Sequence, residues 1–284
     1  MVRALWTGAS GMNAQQVSLD NIANNLANVN TTGYKKQTTE FSSLLYQKLQ
    51  RRQTDNNGDP KPVIAQVGTG VRVTALTSVF TQGIMEETGK PYDFCIEGDG
   101  LFRIQMPNGT ESYTRNGAFQ MSIDGDGVTL CTAEGYPVLD SNGELIHFNT
   151  EEYNVGNLSI DDYGRFTYRN VTSERDAETG LIVTDSEIID LNIRIGLAQF
   201  NNPSGLDKLS DSYFRESPNS GEPRYEIQDP SLSISKIHSQ YLEGSNVQTV
   251  DEIVNLITTQ RAYEMNSKII SAADEMMQQA NNLR

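Results

Sequence analysis

Apolar positions fall at helical spacing at both ends of the chain and at strand spacing between them. From Asn246 the chain runs to Arg284 with no Gly and no Pro. Such a run predicts one helix roughly 50 Å long at 1.5 Å per residue. Val250, Val254, Ile257, Met265, Ile269, Ala272, Met276 and Leu283 recur at three- and four-residue steps on one face. Ile253, Leu256, Tyr263, Ile270 and Met277 widen it. Ser245 with Gln248, and Thr249 with Glu252, offer two capping boxes. Asp251 and Glu252 sit near the positive end of the helix dipole and Arg284 at the negative end.

At the other end, Leu5, Met12, Leu19 and Leu26 repeat every seven residues. Val2, Ile22 and Val29 extend that side, and Ala9 and Ala23 flank it. A strict seven-residue repeat keeps a seam facing another helix. Two readings follow: an ordinary pair within one chain, or helices packing in several copies. The breadth of both apolar faces favours several copies. Gly8-Ala-Ser10-Gly11 lies within the first helix, where small residues allow close helix approach. It does not fit a nucleophile elbow. Asn21, Asn24, Asn25 and Asn28 form a polar stripe at helical spacing. It reads either as hydrogen bonding to neighbours or as solvated surface. Gly33 is a left-handed stop past the helix end.

Residues 34–50 carry a short amphipathic pattern through Phe41, Leu44, Leu45, Tyr46 and Leu49. Residues 51–62 are polar and rich in breakers, hence a loop. From about 70 to 240, β-branched and apolar runs alternate with turn pairs: Asn108-Gly109, Asn116-Gly117, Asp124-Gly125, Asp126-Gly127, Glu134-Gly135 and Asn142-Gly143. Their spacing predicts antiparallel hairpins. The expected fold is α+β: long N- and C-terminal helices form a coiled-coil stalk, with a mainly antiparallel β domain inserted between them. The expected boundaries are 1–32 for the first helix and 33–74 for a connecting segment with an extended loop near 46–62. The β body follows over 75–242 and the last helix over 243–284.

Composition narrows the function. The 284 residues allow one large or two modest domains. No apolar stretch is long enough to span a bilayer, and no cleavable secretory signal opens the chain. Export, if it occurs, needs another route. The formal charge of −15 is uneven: residues 1–52 carry +4, residues 243–284 carry −3, and the middle carries −16. An acidic middle argues against nucleic acid and against insertion into anionic membranes.

No catalytic, cofactor or metal site emerges. Cys95 and Cys131 read as small core residues, although a disulfide is open. Gly68-Thr-Gly and Gly98-Asp-Gly lack the third glycine and the helix of a dinucleotide loop. Asp124-Gly-Asp126-Gly lacks most of a calcium loop. His147 and His238 are too far apart in sequence to suggest a relay or a metal pair.

The two ends resemble the bacterial flagellar axial proteins of the rod and hook. The N-terminal signature is Leu5-Trp-Thr-Gly-Ala-Ser-Gly-Met-Asn-Ala-Gln-Gln, then Asn21-Ile-Ala-Asn-Asn-Leu-Ala-Asn-Val-Asn-Thr-Thr-Gly-Tyr-Lys. The C-terminal one is Gly244-Ser-Asn-Val, then Thr259-Gln-Arg-Ala-Tyr-Glu-Met-Asn-Ser-Lys. Phe80-Thr-Gln-Gly, Ile96-Glu-Gly-Asp-Gly-Leu-Phe, Tyr113-Thr-Arg-Asn-Gly-Ala-Phe and Phe200-Asn-Asn-Pro-Ser-Gly-Leu resemble the distal rod branch in particular. Residues 150–190 match least.

The resemblance implies a non-enzymatic subunit, exported unfolded without signal cleavage and polymerised into a hollow tube. The terminal helices would line the tube and the β body would face outward, in the basal body outside the cytoplasmic membrane. The expected polymerisation interface is Leu5, Met12, Leu19, Ile22 and Leu26 with Val250, Val254, Ile257, Met265, Ile269, Met276 and Leu283. The implied partners are further copies, rod and hook subunits at the two ends, surrounding ring proteins and the export apparatus. A proximal rod or hook subunit is the nearer alternative; a wall-acting hydrolase is a remote one.

Overall fold

A computed structural model describes residues 2–48, 66–125, 127–150, 153, 155–175, 182–210 and 212–282. Leu283, most of the 46–62 loop and Asp126 lie outside the described residues. The chain divides into two compact units: Met1–Asn28, Gln37–Val79 and Val247–Arg284 make one, and Val29–Lys36 with Phe80–Asn246 make the other.

The first unit holds both long helices, α1 (Val2–Ala27) and α2 (Thr249–Asn282). They pack against each other along their length. α1 also packs against an antiparallel ladder of Gln37–Ser43 with Val71–Ser78, which shifts register between Glu40 and Phe41. Tyr46–Lys48 pairs with Gln66–Gly68. The amphipathic stretch thus holds two strands, Gln37–Ser43 and Tyr46–Lys48, of which the first contains the good strand formers Thr38, Thr39 and Phe41.

The second unit is β throughout. Its largest sheet has six antiparallel strands in the order Asp207–Lys208, Tyr213–Arg215, Glu111–Thr114, Leu101–Gln105, Leu197–Gln199 and Arg224–Tyr225. Phe119–Asp124, Gly127–Thr132 and His147–Asn149 form a second sheet. Leu158–Ile160, Arg165–Arg175 and Ile182–Arg194 form a third. Phe94, Ile96, Phe102, Ile104, Phe119, Leu130, Val138, Phe148, Phe166 and Ile195 fill the core.

Several expected turn pairs are turns: Gly109, Gly125, Gly135 and Gly143 all have positive φ. Asn116-Gly117 is not. A Cβ on Gly117 would lie against the Phe94 carbonyl oxygen, so this glycine serves close backbone approach. Cys95 and Cys131 are buried free thiols.

Candidate assembly surfaces

α1 and α2 run antiparallel, because Gly8 faces Ile270, Gly11 faces Asn266 and Asn25 faces Glu252. A Cβ on Gly8 would stand 3.0 Å from Ile270 Cγ1, and one on Gly11 would stand 2.9 Å from Asn266 Nδ2. The small residues of Gly8-Ala-Ser10-Gly11 thus bring the two backbones close. Nearer the helix end, Asn25 Nδ2 donates to Glu252 Oε2 at 3.2 Å in a buried contact.

The asparagine stripe splits in two. Asn25 brackets Gln37, accepting from its backbone N–H at 3.0 Å and donating to its carbonyl at 2.8 Å. Asn21 Nδ2 donates to the same carbonyl at 2.9 Å and to Thr39 Oγ1 at 3.1 Å. Asn28 instead donates back to the Asn24 carbonyl and side chain along the helix surface. Asn21 and Asn25 therefore pin the first strand onto α1, and Asn25 also reaches α2.

This polar seam decides which side of α2 is covered. Its buried residues are Glu252, Thr259 and Ala273; Leu256, Asn266, Ile270 and Met277 are half-buried beside them. Val250, Val254, Ile257, Met265, Ile269 and Met276 are 44–74% exposed. Ile253 and Tyr263 are exposed with them. Among the described residues, the broad apolar face expected from periodicity is thus two faces: Leu256, Ile270 and Met277 turn inward and the others outward. On α1, Ile22 is buried, Leu5, Met12, Leu19 and Leu26 are half-buried, and Trp6 is exposed. Among the described residues, the clusters of buried apolar side chains all lie in the β unit. The buried positions of the helical unit are mostly small or polar, Ile22 and Val247 being the larger apolar ones among the described residues.

The β unit contains a buried ionic node that periodicity does not reveal. Glu243 lies at the end of Tyr241–Glu243, which pairs with Met85–Glu87. Its Oε1 accepts from Lys35 Nζ at 2.6 Å and from the Gly83 backbone N–H at 2.8 Å. Its Oε2 accepts from Arg115 Nη1 at 3.2 Å. Its backbone carbonyl accepts from Gly33 N–H at 2.8 Å. Lys35 also donates to the Thr81 carbonyl, and Arg115 to the carbonyls of Ile96 and Gly98. All three side chains are at most 2% exposed. Burial holds the Lys35 ammonium below the ordinary lysine pKa, with Glu243 opposing and Arg115 reinforcing that shift.

The node ties down the segment that follows α1 and the strand that precedes α2. Lys35 belongs to the motif ending Gly33-Tyr-Lys, Arg115 to Tyr113-Thr-Arg-Asn-Gly, and Glu243 directly precedes Gly244-Ser-Asn-Val.

Elsewhere, His238 Nε2 meets Glu97 Oε2 at 2.9 Å and His147 Nδ1 meets Thr129 Oγ1 at 3.1 Å. Among the described residues no group of three or more His, Cys, Asp or Glu is placed to hold a metal. No described helix is long and apolar enough to cross a membrane.

Comparison with known proteins places these surfaces in context. The family described as flagella basal body rod protein matches residues 5–35, and the flagellar basal body rod FlgEFG protein C-terminal family matches residues 238–283. The flagellar hook protein FlgE/F/G D1 domain matches residues 95–168. The chain is 39% identical over 285 residues to the flagellar basal-body rod protein FlgG of Borreliella burgdorferi, covering 100% of this chain and 99% of that one. It is 40% identical over 278 residues to FlgG of Agrobacterium fabrum, covering 97% of each. It is 34% identical over 284 residues to FlgG of Bacillus subtilis, covering 100% of each. With full-length similarity of this kind and both terminal signatures present, the chain belongs to the flagellar basal-body rod protein family, among proteins like FlgG.

Proposed function

We propose that copies of this chain polymerise through the exposed apolar face of α2 and the half-buried apolar positions of α1 into the hollow distal rod, the shaft that carries torque to the hook. Helices of neighbouring copies interlock as a coiled-coil stalk. Other rod subunits and hook subunits meet the two ends, ring proteins surround the shaft, and the export apparatus delivers the chain to the cell-wall zone. The role is structural and involves no turnover.

The observation that carries this reading is that α2, with Leu256, Ile270 and Met277 turned inward, still leaves Val250, Val254, Ile257, Met265, Ile269 and Met276 exposed. Magnitudes favour many contacts over one. A Val, Ile or Met that is already half covered gains about 1 kcal/mol on full burial. The six outward residues of α2 then offer about 6 kcal/mol, comparable to the roughly 4–15 kcal/mol that association costs in lost freedom. A single pairwise contact is therefore weak, and helices that touch several neighbours at once are stable. Heterologous contacts that do not close give filaments.

Ile257→Asp and Leu19→Asp test the reading. Polymer seen by electron microscopy and sedimentation is expected to disappear in both, while the melting of the β unit stays within about 0.5 kcal/mol of wild type. Undiminished polymer in either variant would sink it.

A further inference from the structure

We propose that Asn108 is a site of spontaneous deamidation, which the structure singles out from other pairs of the same local sequence. Its turn is the exposed tip of the hairpin that joins Leu101–Gln105 to Glu111–Thr114. The chain holds four Asn-Gly pairs, beginning at Asn57, Asn108, Asn116 and Asn142. Asn57-Gly58 lies outside the described residues. In such a pair the glycine has no Cβ, so its backbone nitrogen is open to the asparagine side chain. That nitrogen bonds to Cγ and gives up its proton, and Nδ2 leaves as ammonia. The ring imide so formed takes up water at either carbonyl and opens to aspartate or isoaspartate. Water is the only co-reactant.

Asn108 and Asn142 make a matched comparison, since both sit in three-residue hairpin loops closed in the same way. Gly109 N–H donates to the Met106 carbonyl and Met106 N–H to the Thr110 carbonyl, each at 2.9 Å. Gly143 N–H donates to the Asp140 carbonyl at 3.2 Å, and Asp140 N–H to the Glu144 carbonyl at 2.8 Å. The two glycines have φ of +76° and +89°. Both asparagines are exposed. Backbone conformation therefore does not distinguish them.

The side chains do. Asn142 is tied to Asp140: its backbone N–H donates to Oδ1 at 2.7 Å and its Nδ2 to Oδ2 at 3.2 Å. Arg103 Nη1 pins the same loop by donating to the carbonyls of Asp140 and Ser141. The Asn108 side chain has no partner among the described residues, and a Cβ added to Gly109 would meet nothing within 4 Å. Asn116 is held most firmly. Its Oδ1 accepts from Thr32 Oγ1 at 3.0 Å and from the Ala118 N–H at 3.1 Å, and buried Gly117 lies against the Phe94 carbonyl.

Ring closure swings Cγ onto the glycine nitrogen, so the side chain must turn freely and the glycine N–H must leave its turn bond. A bond at an exposed hairpin tip opens at little cost. A side chain tied to a carboxylate must first break that tie. The expected order is therefore Asn108, then Asn142, then Asn116. Conversion places a carboxylate at the tip of a hairpin in the largest sheet, within residues 53–242 that already carry −16. Isoaspartate also adds an atom to the backbone and disrupts the turn.

Incubation of the full-length chain at mildly alkaline pH tests this, with each asparagine followed by peptide mapping and tandem mass spectrometry. Breaking one hydrogen bond corresponds to about fivefold in rate, so Asn108 should convert at least that much faster than Asn142. Asn116 should be slower still. In guanidinium, Asn142 and Asn116 should approach the rate of Asn108, because local sequence alone then acts. Asp140→Ala should quicken Asn142 in the folded chain and leave Asn108 unchanged. No conversion at Asn108, or equal rates at Asn108 and Asn142 in the folded chain, would overturn the proposal. So would the same ranking in guanidinium, since sequence and not structure would then set it.

Discussion

Lys35 Nζ lies 2.6 Å from Glu243 Oε1, although 208 residues separate them and each side chain is only 1% exposed. Arg115 shares the same carboxylate. Breaking a buried pair by deleting one partner costs more than the pair contributes, because a charge is left buried without compensation. Glu243→Leu strands two cations and is expected to cost about 3–5 kcal/mol of β-unit stability. Lys35→Met should cost less, since Arg115 still satisfies the carboxylate. Urea melts of the three proteins give the ranking; a Lys35→Met at least as damaging as Glu243→Leu would contradict the shared-carboxylate arrangement.

Asn25 bonds the backbone N–H and carbonyl of Gln37 and the Glu252 carboxylate. Asn25→Ala leaves the Gln37 backbone and the Glu252 carboxylate each short of a partner, at about 1–3 kcal/mol. Exchange of the Gln37 amide hydrogen should accelerate accordingly. Asn28 bonds Asn24 at the helix surface, and Asn28→Ala should stay within about 0.5 kcal/mol. Equal acceleration in both variants would mean that the stripe acts through helix propensity alone.

Two glycines separate close approach from turn conformation. At Gly117 an added Cβ meets the Phe94 carbonyl, whereas at Gly135, with φ of +89°, nothing lies within 4 Å. Gly135→Ala pays only for its left-handed backbone, about 1–2 kcal/mol. Gly117→Ala must move a core strand and should cost more than about 3 kcal/mol, in the range of overpacked cores. Thermal melts decide the order.

Alkaline pH should weaken the β unit. Burial pushes the Cys95 thiol from 9.0 up to about 12 and raises the Tyr92 and Tyr113 hydroxyls as well. Above pH 9 the unfolded chain loses the thiol proton that the folded chain keeps, so stability falls as pH rises towards 12. Lys35, with its pKa lowered by burial, contributes the opposite slope up to its ordinary value of 10.5 and none above it. The decline is therefore steepest beyond pH 10.5, and Cys95→Ala should flatten it. An unchanged slope in that variant would assign the decline to the tyrosines.

Much of the fold is legible in sequence because periodicity and punctuation are local. The unbroken run after Asn246 becomes α2, and most Asn-Gly, Asp-Gly and Glu-Gly pairs become turns. What periodicity does not carry is the identity of the covering surface. Val254 and Leu256 look equally apolar, yet Leu256 turns into the seam and Val254 faces out. The choice is made by α1, whose Gly8, Gly11 and Asn25 take Ile270, Asn266 and Glu252 at close range. The Lys35–Glu243–Arg115 node was hidden for a related reason: three isolated charges become one group only when separate β pairings bring them together. Gly117 was misassigned because a turn glycine and a close-approach glycine look alike after Asn.

Covering of the outer face of α2 on assembly is the claim on which the rest depends, and Met265 and Met276 report on it directly. They are 59% and 50% exposed in the single chain. Mild peroxide, read out by mass spectrometry, converts exposed methionine to its sulfoxide. In free protein both should oxidise readily, with half-buried Met277 slower. In polymer both should be protected severalfold. Equal oxidation of Met265 and Met276 in the free and assembled states would contradict assembly through this face.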